Sequence, residues 1–164
     1  MRRSRPWLAV AWLALCLSAS ASACGSSFDI SKGLVVTDVA SGWYDAGPQN
    51  GRTKLVPSVT FRVKNVGTLP VDDVQLLVSF WPSGADGEVD SKEVTAIIAG
   101  ASLGAGSSSA LILVRSGVGY TLEEPRSELF THSQFKDFVA KVFAKRKGRI
   151  APLGQFTIGR RIIS

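Results

Sequence analysis

The side chains that could carry chemistry in this chain are few: one histidine, two cysteines and thirteen carboxylates among 164 residues. His132 stands between Thr131 and Ser133. Nucleophilic catalysis needs a base that is itself oriented by a third group, and a lone histidine in a polar stretch reads instead as a loop residue. A zinc site of the usual kind needs more His and Cys ligands than the chain supplies. The carboxylates recur as Asp72-Asp73, Glu123-Glu124 and the trio Asp86, Glu88 and Asp90. Adjacent acids on a strand point to opposite faces, so Asp72-Asp73 reads as a solvated turn and not as an acid/base pair. Asp86-Gly87-Glu88-Val89-Asp90 alternates acids around a glycine but lacks the remaining ligands of a calcium loop. Gly100, Gly104 and Gly106 form a glycine-rich turn between strand-like segments, with no helix following to make a phosphate site. The expectation is a protein without catalytic residues, cofactor or metal.

The elements around these residues begin with an address. Met1-Arg2-Arg3-Ser4-Arg5 is basic, Trp7 to Leu17 is apolar, and Ser18 to Ala23 are small, the order of a secretory signal. The apolar run is 11 residues long, against about 20 for a membrane-crossing helix, so residues 1–23 are expected to be removed on export. Cys16 goes with them, leaving Cys24 without a pairing partner. An odd thiol in an oxidising compartment calls for an explanation. Ala21-Ser22-Ala23-Cys24-Gly25 resembles the bacterial lipobox, in which the cysteine is lipidated and becomes the new N-terminus. That resemblance implies lipid attachment at Cys24 and a membrane anchor facing the periplasm or the exterior; ordinary cleavage nearby would leave Cys24 free in a tail.

Processing also corrects the charge. Removing Arg2, Arg3 and Arg5 takes the formal charge from +6 to +3. What remains is uneven: residues 24–135 hold 8 Lys/Arg against 12 Asp/Glu, and residues 136–164 hold 8 Lys/Arg against Asp137 alone. Export puts nucleic acid out of reach of that basic end. An anionic lipid, polysaccharide or protein surface is the expected counterpart.

From Gly33 onward, short apolar runs alternate with turn residues, the all-β pattern. In Ser58 to Lys64, Val59, Phe61 and Val63 alternate with Ser58, Thr60, Arg62 and Lys64, a strand with one wet face. Val74, Leu76, Val78 and Phe80 form the core face of a second clear strand. Further strands are expected over 33–44, 94–99, 110–115 and 155–163, with a turn at Gly47 to Gly51. Residues 133–146 read two ways. Phe135, Phe138, Val139, Val142 and Phe143 fall at helical spacing, while Phe138, Ala140, Val142 and Ala144 alternate as a strand; the strand is favoured because a sandwich needs a partner for its last strand. The domain plan is a signal over 1–23, a lipidated tether over 24–32 and one immunoglobulin-like antiparallel β-sandwich of about seven strands over 33–164.

Val59-Thr60-Phe61-Arg62-Val63-Lys64-Asn65-Val66-Gly67, followed by Val74 to Phe80, resembles the central strand pair of bacterial immunoglobulin-like domains of the FxLYD type. The resemblance covers roughly residues 57–84. It implies an exported domain with a binding or scaffolding role and says nothing of a particular partner.

Two features are candidates for binding. Lys145, Arg146, Lys147 and Arg149 crowd one predicted hairpin and suit an anionic partner, though charge in a turn is commonly only solvated. Leu77 and Trp81 share the face opposite the core residues of their strand, where an apolar pair calls for a cover from this chain or from a partner. Together these readings lead to a non-enzymatic exported lipoprotein acting as a binding or accessory module in an envelope assembly, with a protein partner. The alternative is a carrier or sensor for a small apolar or anionic ligand.

Overall fold

The computed structural model describes residues 28–163 except Glu124; the leader and Cys24 lie outside them. A one-turn helix, α1 (Ile30–Gly33), precedes nine strands: β1 (Leu34–Gln49), β2 (Arg52–Asn65), β3 (Val71–Pro82), β4 (Asp90–Leu103), β5 (Ile112–Arg115), β6 (Tyr120–Leu122), β7 (Phe138–Arg146), β8 (Arg149–Thr157) and β9 (Ile162–Ile163). One sheet runs β5-β2-β1-β9, with β6 also on β2; the other runs β4-β3-β7-β8. This division of strands between two facing sheets, antiparallel except where β9 joins β1, is that of an immunoglobulin-like sandwich.

Seven expected strands become nine for two local reasons. β5 and β6 both lie antiparallel along β2, on Ser58–Phe61 and Thr53–Leu55 respectively. They are one strand interrupted where the chain leaves the ladder between Arg115 and Tyr120. Gly119 permits that close passage, because a Cβ there would stand 2.1 Å from the Leu55 carbonyl oxygen. The second reason corrects the expected last strand over 155–163. β8 stops at Thr157, and the chain crosses to the other sheet, where Ile162 and Ile163 pair parallel with Trp43 and Tyr44.

The tight hairpins follow from residue type. Asn50 and Gly51 connect β1 to β2 with φ of 52° and 81°, and Lys147 and Gly148 connect β7 to β8 with φ of 47° and 76°. Positive φ at both central residues is the type I′ turn, whose twist suits a hairpin and which favours Asn-Gly. Gly100, by contrast, is not in a turn: β4 continues through it at φ 86° to Leu103.

Val59, Phe61 and Val63 of β2 face Val74, Leu76, Val78 and Phe80 of β3 across the core, and all seven are fully buried. Residues 138–146 are strand, and no helix lies between 133 and 146. The helical spacing arose because β7 is apolar on both faces. Phe138, Ala140, Val142 and Ala144 point inward and are buried, while Val139 and Phe143 point outward.

Three expectations change at bulges and at the N-terminal boundary. The β1–β2 register slips between Thr37 and Ala40, where Asp38 has φ 54°. One extra residue exchanges the faces of a strand, so Leu34 points inward before the slip and Trp43, fully buried, after it. Asp72-Asp73 is not a solvated turn but part of β3, at a register shift where Asp73 has φ 49°. The folded body also starts before residue 33. Ile30 belongs to the core, and the Phe28 ring lies against Gly33 and Gly67, where an added Cβ would meet it at 2.3 and 3.0 Å. Residues 28–32 are therefore packed structure, not tether.

Asn65 gives the Asn-x-Gly step its physical meaning. The residue is fully buried. Its amide donates to the carbonyls of Leu69 and Leu103, both at 2.9 Å, and its Oδ1 accepts from the Gly67 N–H at 2.9 Å. One side chain thus holds the β2–β3 turn to the end of β4.

Candidate functional site

β3 and β7 pair antiparallel with Gln75 opposite Lys145, Leu77 opposite Phe143, Ser79 opposite Lys141 and Trp81 opposite Val139. Directly opposed residues project from the same face with Cβ atoms about 5 Å apart. The outer face of this sheet therefore carries Leu77 and Trp81, as expected from the sequence, joined by Phe143 and Val139, which sequence reading left unassigned. All four are half-buried. Among the described residues no extra strand covers them, and one lysine lies over Trp81. Lys141 Nζ sits 3.6 Å from the centre of the Trp81 ring, and the indole N–H donates to Ser79 Oγ at 2.8 Å. Lys145 Nζ reaches across β3 to Glu93, the cross-strand neighbour of Leu77, at 3.2 Å. Ile150, opposite Lys145 on β8, is 61% exposed and extends the apolar surface toward the hairpin tip. The signal for them was already in the favoured strand reading of 138–146, where Val139 and Phe143 alternate with Phe138, Ala140, Val142 and Ala144.

The basic hairpin tip forms, but its four cations divide into two pairs. Arg146 folds back on Asp72, donating to its backbone carbonyl and to its carboxylate, and Lys145 is engaged with Glu93. Hydrogen bonding from the Arg146 guanidinium lowers the Asp72 pKa below the ordinary carboxylate value. Lys147 and Arg149 are exposed, and among the described residues neither is in an ion pair. The expectation of four cations presented together is thus corrected to two. Two shallow clefts lie at this end of the sandwich, of about 190 and 230 Å³ and both partly lined by Phe28. They are smaller than the ~300 Å³ at which small-molecule sites begin.

The basic C-terminal stretch is split as well, because antiparallel strands return its charges to opposite ends of the sandwich. Arg160 makes two hydrogen bonds to Asp137, at 2.7 and 2.6 Å, and stacks over Phe135. That hydrogen bonding lowers the Asp137 pKa and raises that of Arg160. Arg161 donates to the Ser41 carbonyl at 2.7 Å.

The remaining carboxylates of interest are structural. Asp90 accepts from Ser116 Oγ at 2.9 Å, from the Gly117 N–H at 2.6 Å and from Lys92 at 3.2 Å, tying the edge of one sheet to the other. Burial alone would raise its pKa, and these bonds outweigh it and lower the value. Glu123 pairs with Arg52. His132 is exposed, its Nδ1 accepting from the Gln134 N–H at 3.2 Å. Among the described residues no three potential ligands gather into a metal site, and no helix is long and apolar enough to cross a membrane.

Two clusters were invisible to sequence reading. Trp43, Tyr120, Phe135 and Phe138 pack with ring centres 5.3–6.5 Å apart, and Phe130 joins Phe135 at 5.5 Å. On the outer face of the first sheet, Arg115 stands opposite Ser58 and Tyr44 opposite Val56. The Arg115 guanidinium lies 3.4 Å from the Tyr44 ring centre, so the pair spans β2 and shields both residues. Ser58, expected on a wet face, is consequently fully buried.

No family model matches the chain, and no curated protein matches it significantly. Among solved structures it is similar to a Northeast Structural Genomics Consortium target, with a TM-score of 0.46 at 10% identity over 80% of this chain and 89% of that one. It is also similar to a Bacteroides uniformis β-glucuronidase, with a TM-score of 0.43 at 13% identity, covering 79% of this chain and 13% of the enzyme. At these scores neither likeness carries a functional argument, and the sandwich assignment rests on the strand order itself.

Proposed function

We propose that the chain is an exported, lipid-anchored, non-catalytic module of the bacterial cell envelope that receives a protein partner on the outer face of β3 and β7. The observation that carries this reading is the apolar row Leu77, Trp81, Val139 and Phe143 on a face that an antiparallel sandwich commonly leaves solvated. Protein interfaces favour this composition: aromatic residues at the centre, charge at the rim, with tryptophan over-represented among the residues that dominate binding. Lys145 and Glu93 supply the rim on one side, and Lys141, between Phe143 and Val139, lies over Trp81 within the patch.

The lipid part is checked by intact mass spectrometry of membrane-extracted protein, which should lack residues 1–23 and carry at least two acyl chains, the number that anchors stably. Cys24→Ser should then leave the membrane fraction or stay unprocessed. The partner part is checked by a photo-crosslinking residue at exposed Gln75, with Leu113 on the other sheet as control. Position 75 should give one defined adduct in intact cells, lost with Trp81→Ala, and position 113 should give none. Equal crosslinking from both sheets would remove the partner face.

A further inference from the structure

The described chain enters the sandwich at a fixed point. Asp29 caps α1 by accepting from the Ser31 N–H at 3.0 Å, Ile30 is buried, and the Phe28 ring is seated on Gly33 and Gly67. Phe28 also lines a cleft with Arg146, Lys147 and Arg149, so the entry point and the β7–β8 tip share one end of the molecule. Three residues lie between Cys24 and Phe28, so four Cα–Cα steps join them. At 3.3–3.6 Å per residue their span is at most about 14 Å. A lipid on Cys24 would hold this end, and no other, within that distance of a bilayer.

The same end carries cations that the fold leaves outside ion pairs, in excess of the carboxylates near them, Asp29 by Lys32 and Arg149 and Asp72 by Lys147. Lys32 on α1, Lys64 at the end of β2, Lys147 and Arg149 are all exposed. Among the described residues none of the four is in an ion pair. At the opposite end the arginines are matched to acids: Arg52 to Glu123, Arg126 to Asp45 and Arg160 to Asp137. Val66 and Leu69, in the turn that holds Phe28, are 48% and 39% exposed and add apolar side chains to the basic surface.

We infer that this end of the sandwich lies against anionic lipid headgroups, which fixes the outer face of β3 and β7 roughly upright from the membrane, where a partner can reach it. The inference rests on lipid attachment at Cys24. Lys32, Lys64, Lys147 and Arg149 meet the headgroups, each contributing a factor of about five in affinity, while Val66 and Leu69 enter the interface between them.

The test uses full-length protein extracted from membranes and reconstituted into phosphatidylcholine vesicles, with and without phosphatidylglycerol, containing a headgroup nitroxide. A fluorophore is placed at Leu69→Cys or, at the far end, Asp86→Cys. Strong quenching at 69 and none at 86 is expected in anionic vesicles. Quenching at 69 should fall at least severalfold without phosphatidylglycerol, in 1 M salt where screening shortens to about 3 Å, and in the double variant Lys32→Glu/Arg149→Glu. Lys32→Gln/Arg149→Gln should fall between, and unchanged melting confirms that both variants fold. Acylated protein quenched alike at both ends, or indifferent to lipid charge, overturns the orientation alone. Quenching at 69 that needs native envelope membranes assigns the surface to an acidic protein and overturns the lipid contact. Protein without acyl chains by mass removes the anchor, and the inference with it.

Discussion

The two ends of the sandwich solve the same problem differently. At the end where β1 and β2 turn at Asn50-Gly51, surface arginines lie on carboxylates, and beneath them Trp43, Tyr120, Phe135 and Phe138 close the core with aromatic rings. At the end where the chain enters, closure depends on Phe28 over two glycines and on the buried amide of Asn65, and Lys32, Lys64, Lys147 and Arg149 project outside ion pairs, with Asp29 near Lys32 and Arg149 and Asp72 near Lys147. An ion pair between exposed groups contributes little to stability, but it removes charge from the surface. Arg52, Arg126 and Arg160 at the paired end are therefore neutralised in place, whereas the entry end keeps a surplus of positive charge that can attract an anionic surface.

Both ends hang on one core, and breaking it should break both. Phe61→Asp places an unpaired charge at a fully buried position and should unfold the domain, at a cost above about 4 kcal/mol. A native strand spectrum with unchanged melting would refute the packing of β2 against β3. Trp43→Ala comes next, with a loss of about 3–5 kcal/mol for a large buried aromatic. Its effect should be greatest on hydrogen exchange around Tyr120 and Phe135, leaving the entry end better protected. Asn65→Ala strands the carbonyls of Leu69 and Leu103 and should cost about 1–3 kcal/mol. Its exchange pattern should be the reverse, with loosening at the β2–β3 turn and α1. If both variants loosened the same amides, the two ends would be one cooperative unit and the contrast would fail.

Smaller effects follow the surface charge. The pKa values of Asp45, Asp90 and Asp137 are lowered in the folded state, by hydrogen bonds from the Gly47 N–H, from Gly117 and Ser116 against burial, and from Arg160 respectively. A lowered folded pKa gives stability that is complete above the ordinary carboxylate value near 4 and is lost as pH falls through the lower folded one. Thermal melting should accordingly be flat from neutral pH down to about 4 and decline below it, with Asp90→Asn melting lower at neutral pH and showing a shallower acid decline. Least of all, Lys32→Glu/Arg149→Glu should leave stability within about 0.5 kcal/mol per site. A marked loss there would mean that those cations support the fold.

Much of this fold was readable before any coordinate. Alternation in Ser58 to Lys64 and Val74 to Phe80 names the two central strands because burial of one face enforces a period of two. Asn50-Gly51 and Lys147-Gly148 name the hairpins because glycine relieves positive φ. The free face carrying Leu77 and Trp81 was likewise visible from their position opposite the core residues. Tertiary structure alone decided the rest, for one recurring reason: a bulge changes which face a residue occupies without altering its local pattern. The slip at Asp38 turned Trp43 inward, and that at Asp73 placed an acid pair within a strand. Cross-strand register, which no local window contains, joined Phe143 to Leu77, set Lys141 over Trp81, and withdrew Lys145 and Arg146 from the tip. The amino-acid sequence determined which residues are apolar or charged; pairing across the sheets determined which of those charges remain free.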